Sequence, residues 1–388
     1  MTLSLLKNKL ESLKEASLYR SRFSFMHKQG ASLSTSQKSF ISFVSNDYLG
    51  LSGHPEVVAA FHKAASQYGV GSSSSPLLGG YSSHHKSLEE ELADFTNQPR
   101  ALLLSSGFAA NLCAITSLIS KNDEIFADRL SHASLIDGSL FSSAMVQRYP
   151  HRDCFILDKK LQNNSNKQRW IVTEGVFSMD GTISPLNHLA TLANSHACNL
   201  ILDDAHGIGV LGDKGKGVIE FMRTSPRDIT VLTGSFGKAF GTFGGFIAGS
   251  DEIIEAFIQI GRPYIYSCSL PVAVAAATRS SLQLIQAASD HRAYLQELIH
   301  YFQQVSSQLK LAVLPSQTPI QLIMIGNNAK TIAISTALKE KGILVGAIRP
   351  PTVPPNTSRL RITLTIHHTK EHINRLLGYL SGLYLATK

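Results

Sequence analysis

Short apolar runs bounded by polar and glycine-rich stretches recur through the first three quarters of the chain. Ala101–Leu104, Arg169–Thr173, Leu200–Leu202, Ile229–Leu232 and Gly245–Ala248 each have the length of a buried strand. Between them lie stretches with apolar residues at helical spacing, such as Ser87–Thr96 and Leu186–Ser195. Strands alternating with helices of this length predict right-handed crossovers and a mainly parallel sheet. After about residue 275 the pattern changes. A long helical region, Leu270–Leu309, precedes strand-like runs at Ile320–Ile325 and Leu360–Leu364, with helices expected over Ala329–Lys341 and Lys370–Leu385. That is an α+β pattern.

The opening MTLSLLKNKLESLKEASLYRSRF mixes apolar and charged residues at helical spacing and reads as an amphipathic helix rather than a signal peptide. It leads to a short strand, ISFVS. The expected organisation is an N-terminal arm (1–45), a large α/β domain (46–275) and a C-terminal α+β domain (276–388). The tract GVGSSSSPLLGGYSSHH is too short for a linker and is expected to be a structured loop.

Composition narrows the class. Of 388 residues, 43% are hydrophobic and 16% charged, as in an ordinary globular enzyme. The net charge of +8 comes from basic residues spread along the chain, which favours an anionic small molecule or carrier over nucleic acid. Four isolated cysteines fit a reducing cytoplasm, and the absence of an 18-residue apolar run argues against a membrane span.

The candidate chemistry sits at the ends of the apolar runs. In VLTGSFGKAFGTFGGF a strand enters a small-residue turn that presents Lys238; glycine allows close approach of a flat cofactor, and a lysine there can form an imine with an aldehyde. A solvated lysine in a glycine turn fits this segment equally well. A P-loop does not, because Gly234 and Gly237 are too close together.

In NLILDDAHGIGVLG, Asp203 and Asp204 fall at the carboxyl end of a buried strand, where α/β sheets bind ligands. A protonated pyridine nitrogen would suit Asp203, and His206 could bond a phenolic oxygen. A metal is the rival reading, but no second ligand cluster completes it. The pairs His84–His85 and His367–His368 have poor spacing for chelation and are expected to be surface or loop histidines. In LLLSSGFAANLCAI a helix starting near Phe108, just after Gly107, offers free N–H groups for a phosphate. His132 in ADRLSHASLIDG, and Glu174 and Ser178 in IVTEGVFSMDGTISPL, follow further strand-like runs.

Together these segments, with SNDYLGLSGHPEV, YIYSCSLPV and IRPPTVPPNTSRLRITLT, resemble the α-oxoamine synthases over essentially the whole chain. The resemblance implies a fold-type I pyridoxal 5′-phosphate (PLP) transferase: a mainly parallel seven-stranded sheet, a smaller α+β domain and a homodimer. It implies Lys238 as the Schiff-base lysine and base, Asp203 on the pyridine nitrogen, His206 on the ring oxygen and His132 stacked on the ring. Gly107, Phe108 and Ser235 would hold the phosphate with Ser178 nearby. Arg361 would bind the amino-acid carboxylate, Arg20 and Thr352 the acyl substrate, and Asn46 and Glu174 would border the site.

The opening LYRSRF and the ending AIRPPTVP are most similar to the biotin-pathway branch, which implies L-alanine and a pimeloyl thioester, on CoA or acyl carrier protein, as substrates. Glycine- or serine-using synthases are the rivals within the family, and a PLP-binding regulator is the rival outside catalysis. Asn356 and the Ser72–Pro76 loop depart from the family's glycines; Asn tolerates positive φ, so the turn is expected to survive.

Overall fold

Seven strands form one sheet in the larger of two units. In spatial order they are Arg100–Leu104, Gly245–Gly249, Val231–Ser235, Asn199–Asp203, Arg169–Glu174, Glu124–Asp128 and Met145–Tyr149. The last five pair in parallel, and Gly245–Gly249 runs antiparallel to both of its neighbours. This computed structural model describes residues 2–163 and 166–386. The larger unit comprises Asp47–Ser178 and Ile183–Arg292; the other contains Met1–Asn46, Met179–Thr182 and Ala293–Lys388.

The sheet is apolar on both faces because helices cover both. Leu102, Val172, Ile201, Val231 and Ile247 pack with Ile115 and Phe257 in one core, all at most 2% exposed. Continuous burial of this kind produces the unbroken apolar runs of the sequence. Because Arg100–Leu104 points the same way as the five parallel strands, the segments beginning at Ser105, Arg129, Gly175, Asp204 and Phe236 all leave from one edge.

Residues 276–292, expected in the C-terminal domain, lie in the larger unit. The helix Val272–Ala287 packs on Pro55–Tyr68 and Ser83–Thr96, and its Ser281 hydroxyl donates to the carbonyl of Phe240 at 2.6 Å. The helical pattern at Leu270–Leu309 is two helices, broken at Ala288. The Gly/Ser tract is held in place: Ser72 donates to the Ser269 carbonyl at 2.7 Å, and Ser269 N–H donates to Ser74.

The smaller unit carries a three-stranded antiparallel sheet with Ser358–Thr363 between Ile320–Gly326 and Gly346–Ile348. Asn356 adopts φ +60°, so the turn before the central strand is kept without glycine. The first strand expected at ISFVS is instead Ser39–Ser42, paired with Ser32–Ser34 and Ile343–Leu344. The N-terminal helix, Leu3–Glu15, has the expected amphipathic pattern but buries none of its residues. Among the described residues no helix is long and apolar enough to cross a membrane, and no three His, Cys, Asp or Glu side chains group as a metal site.

His85 and His368 are buried rather than at the surface. His85 closes a capping box, its Nδ1 accepting from Ser82 N–H at 3.0 Å, and its Nε2–H donates to the Leu270 carbonyl at 2.7 Å. His368 stacks on Phe43, accepts from Thr365 N–H at Nδ1 (2.9 Å) and donates from Nε2 to the Ser42 carbonyl (3.1 Å). A short polar loop pairs a histidine with its own backbone, which adjacent-residue spacing does not disclose.

Burial lowers the His368 pKa from 6.5 to about 4. A histidine depressed in the folded state is protonated first in the unfolded chain, so its contribution to stability is complete above pH 6.5 and is lost as pH falls towards 4. That displacement corresponds to roughly 3 kcal/mol. The melting temperature is expected to fall more steeply between pH 6.5 and 4 in the parent than in His368→Gln. Parallel slopes in calorimetry would contradict this.

Candidate active site

The turn after Val231–Ser235 delivers Lys238. Gly241 N–H donates to the Lys238 carbonyl at 2.9 Å, and Gly241 takes φ +65°. A Cβ there would lie 2.3 Å from Ser52 N, so the turn needs glycine both for its dihedral and for that approach. Lys238 is half-buried, and its Nζ lies 3.3 Å from His206 Nε2. On the other side of the ring, His206 Nδ1 is 2.6 Å from the hydroxyl of Tyr48, which is fully buried.

Asp203 ends the Asn199–Asp203 strand and is 7% exposed. One carboxylate oxygen accepts from Ala205 N–H at 3.0 Å, the other from Asn111 Nδ2 at 2.6 Å. Donors of this kind hold a carboxylate as an acceptor beside a cationic N–H. The neighbouring Asp204 has a different task. It is fully buried, and burial pushes its pKa well above the carboxylate range, with Asp203 adding to the effect. Its Oδ2 accepts from Val218 N–H at 2.6 Å. Cβ atoms at Gly175, Gly207 or Gly217 would come within 2.3 Å of its carboxyl oxygens. These glycines let the loops close round Asp204, making it a structural acid rather than a metal ligand.

His132 caps the helix Ala133–Phe141 through its own side chain. Its pKa is lowered by burial, raised by Asp203 and lowered by Lys238, so the three groups lie within electrostatic reach of one another. Phe108 meets the His132 ring edge-on, with centroids 6.4 Å apart.

At the adjoining strand end, Ser106 caps the helix Gly107–Leu118 by accepting from Ala109 N–H. A Cβ on Gly107 would lie 2.9 Å from Ser235 Cβ, and one on Gly245 would lie 2.6 Å from Gly107 N. Only side-chain-free backbone fits here. It leaves a helix N-terminus beside the Ser235 hydroxyl, the donor set that suits a phosphate. Ser178 lies past the end of Arg169–Glu174, its N–H donating to Glu174 Oε2 at 3.4 Å. The larger unit thus gathers an amine, an ionisable carboxylate, two histidines and an anion seat, which fits a phosphorylated aromatic aldehyde.

In the smaller unit the expected substrate residues form two pairs. Arg361, 8% exposed, donates from Nη2 to Asn46 Oδ1 at 3.1 Å and from Nη1 to Thr363 Oγ1 at 2.9 Å. These two oxygens fix the orientation of the planar guanidinium. Arg20 reaches Thr352 at 3.5 Å, a weak contact at an exposed position.

Tyr48, Asn111 and Ser134 adjoin these groups although no motif marks them as site residues. Asn111 left a trace in the sequence: a lone amide in the apolar helix AANLCAI, one turn after Gly107, where a buried amide requires partners.

The Aminotransferase class I and II family matches residues 38–380. The 8-amino-7-oxononanoate synthase of Saccharophagus degradans (strain 2-40) is 46% identical over 378 residues, 97% of this chain and 95% of that protein. That of Stutzerimonas stutzeri (strain A1501) is 45% identical over 376 residues, 97% and 96% of the two chains. Among solved structures, serine palmitoyltransferase from S. paucimobilis with bound PLP–myriocin aldimine superposes with a TM-score of 0.92 at 28% identity, covering 98% and 97% of the two chains. The 8-amino-7-oxononanoate synthase of Francisella tularensis superposes with a TM-score of 0.79 at 34% identity, covering 90% and 98%. The fold is therefore that of the fold-type I PLP enzymes, and the chain belongs to the class I and II aminotransferase family and, within it, to the 8-amino-7-oxononanoate synthases.

Proposed function

We propose that the protein joins L-alanine to a pimeloyl thioester, on CoA or acyl carrier protein, releasing 8-amino-7-oxononanoate, CO2 and the free thiol in biotin biosynthesis. The observation that carries this reading is the grouping of Lys238, Asp203, His132 and His206 in a chain 46% identical, over nearly its full length, to an 8-amino-7-oxononanoate synthase. Pyridoxal 5′-phosphate is the cofactor; when bound, it supplies a ring that delocalises the electron pair left at the amino-acid Cα.

The chain's own residues do the rest. Gly107, Phe108 and Ser235 would hold the phosphate, with Ser178 nearby. Asp203 would keep the ring nitrogen protonated, and His206 and His132 would serve the ring oxygen and the ring. Lys238 anchors the cofactor, then takes the proton from alanine Cα and later returns one. Arg361, aligned by Asn46, holds the alanine carboxylate, and Arg20 with Thr352 meets the acyl substrate. A C–C bond forms from Cα to the thioester carbonyl as the C–S bond breaks and the thiolate takes up a proton. The carboxylate then leaves as CO2, and Cα regains a proton.

The protein is read as a homodimer in a reducing cytoplasm, where Cys113, Cys154, Cys198 and Cys268 remain thiols. A fully active monomer in light scattering would contradict the dimer. The function is tested by mass spectrometry of products from alanine, glycine or serine offered with pimeloyl-CoA and longer acyl-CoAs. Alanine with pimeloyl-CoA is expected to give the dominant turnover. Preference for serine with a long acyl chain, the pairing of the 28%-identical palmitoyltransferase, would overturn it.

A further inference from the structure

We propose that Asn111 and Ser134 are positioning residues that hold His132 as the neutral imidazole with its proton on Nε2. The inference rests on the PLP reading above, in which Asp203 is ionised, and it deepens that reading.

Hydrogen-bond directions along one buried path decide the tautomer. Asp203 as a carboxylate can only accept, so the group of Asn111 facing it at 2.6 Å is the amide NH2. Thr233 agrees, donating its hydroxyl to Asn111 Oδ1 at 2.6 Å. The second hydrogen of the same NH2 goes to Ser134 Oγ at 2.9 Å. With its oxygen accepting there, Ser134 turns its own hydrogen to His132 Nδ1 at 2.7 Å. Ser134 N–H also points at Nδ1, at 3.3 Å. Two donors on one ring nitrogen require a lone pair, so the proton of the neutral ring sits on Nε2.

Asn111, Ser134 and Thr233 are each at most 2% exposed, so water does not substitute for any of these bonds. The charged groups around the ring are Asp203 and Asp137, which favour its cation, and Lys238, which opposes it; burial opposes it too.

The consequence concerns charge at the cofactor. An imidazolium against the ring would compete with the protonated ring nitrogen that Asp203 stabilises. A single amide ties the two requirements together: Asn111 donates to the carboxylate that must be negative and, through Ser134, fills the nitrogen that must stay unprotonated. Tautomer selection by the bond made at the other ring nitrogen is a general property of histidine.

The test is two-bond proton–nitrogen NMR on 15N-histidine-labelled full-length protein, with and without PLP, the His132 signal being identified by its loss in His132→Gln. At pH 7 the parent is expected to show a bare Nδ1 and a protonated Nε2. Ser134→Ala and Asn111→Ala are expected to mix the two tautomers, with Ser134→Thr restoring one. In Ser134→Ala, kcat is expected to fall about tenfold, the lower end for losing an orienting bond, with KM for alanine within about twofold. An Nδ1-protonated or cationic His132 in the parent overturns the proposal without any variant. Tautomers unchanged in a folded Ser134→Ala overturn it as well. Absence of PLP absorbance in the same samples would instead count against the function, and the tautomer would still be read on the cofactor-free chain.

Discussion

Lys238→Ala is expected to lower turnover by about 10^4-fold or more, the upper range for loss of a positioned acid–base group. In the proposed reaction the amine would have two tasks, anchoring PLP and moving the Cα proton, and no neighbour could assume both. His206, 3.3 Å away, has one nitrogen against Lys238 and the other against Tyr48. Arginine at 238 would not help, because a guanidinium stays charged and cannot serve as a base. The variant should fold, since the turn is set by Gly241 and its bond to the 238 carbonyl rather than by the side chain. Dialysed protein is expected to lose the lysine-linked visible absorbance while keeping its melting temperature within a few degrees. A retained band, or turnover within tenfold of the parent, would mean that another lysine carries the cofactor.

What was legible in the sequence follows from what each element buries. Leu186–Ser195 is legible to the residue because one face is apolar, Pro185 marks its start and polar residues close its end. Strands at Asn199–Asp203 and Gly245–Gly249 stood out because both faces are buried. Edge positions were less visible: Met145–Tyr149 closes the sheet with two of five residues exposed and two only partly buried, so its run is mixed. The hairpin His27–Gln29 with Ser32–Ser34 carries Leu33 as the single apolar residue of its two strands, too little to form an apolar run. Of the site, residues in glycine-marked turns could be found, because glycine records a close approach. Tyr48 and Ser134 act through single hydrogen bonds at places no spacing rule marks. The division near Asp204 was hidden too: two adjacent acids read alike, yet one accepts from two donors at 7% exposure and the other is sealed behind three glycines.

Structural likeness and sequence likeness rank the relatives differently, which bears on substrate. The palmitoyltransferase superposes better, at 0.92, than the Francisella synthase, at 0.79, although the latter is more similar in sequence. A shared backbone carries the cofactor chemistry common to both, while the choice of amino acid and acyl chain lies in side chains. The weight for alanine therefore comes from identity near 45% over almost the whole length, not from the superposition.

Asp203→Asn is expected to reduce kcat by about 10^2- to 10^3-fold, the range for removing one preorganised electrostatic group. The substitution conserves shape, so packing explains little of the loss. What changes is charge and the number of acceptors. The carboxylate accepts from Ala205 N–H on one oxygen and Asn111 Nδ2 on the other, and in the proposed reaction its negative charge would keep the ring nitrogen protonated. An amide offers one oxygen for those two donors, and its NH2 would face either a backbone N–H or the Asn111 NH2. Whichever way it turns, a donor opposes a donor in a site 7% exposed, and an unmet buried donor costs about 1–3 kcal/mol. The ring nitrogen then loses its anionic partner and the electron pair at Cα its sink. Saturating alanine should not recover the rate, because the loss lies in the transition state rather than in alanine binding. The measurement is steady-state kinetics with hydrogen exchange at alanine Cα followed by NMR: both are expected to slow together, while KM for alanine changes little. An Asn variant that exchanges the Cα proton at the parent rate would show that proton removal does not depend on the charge of Asp203.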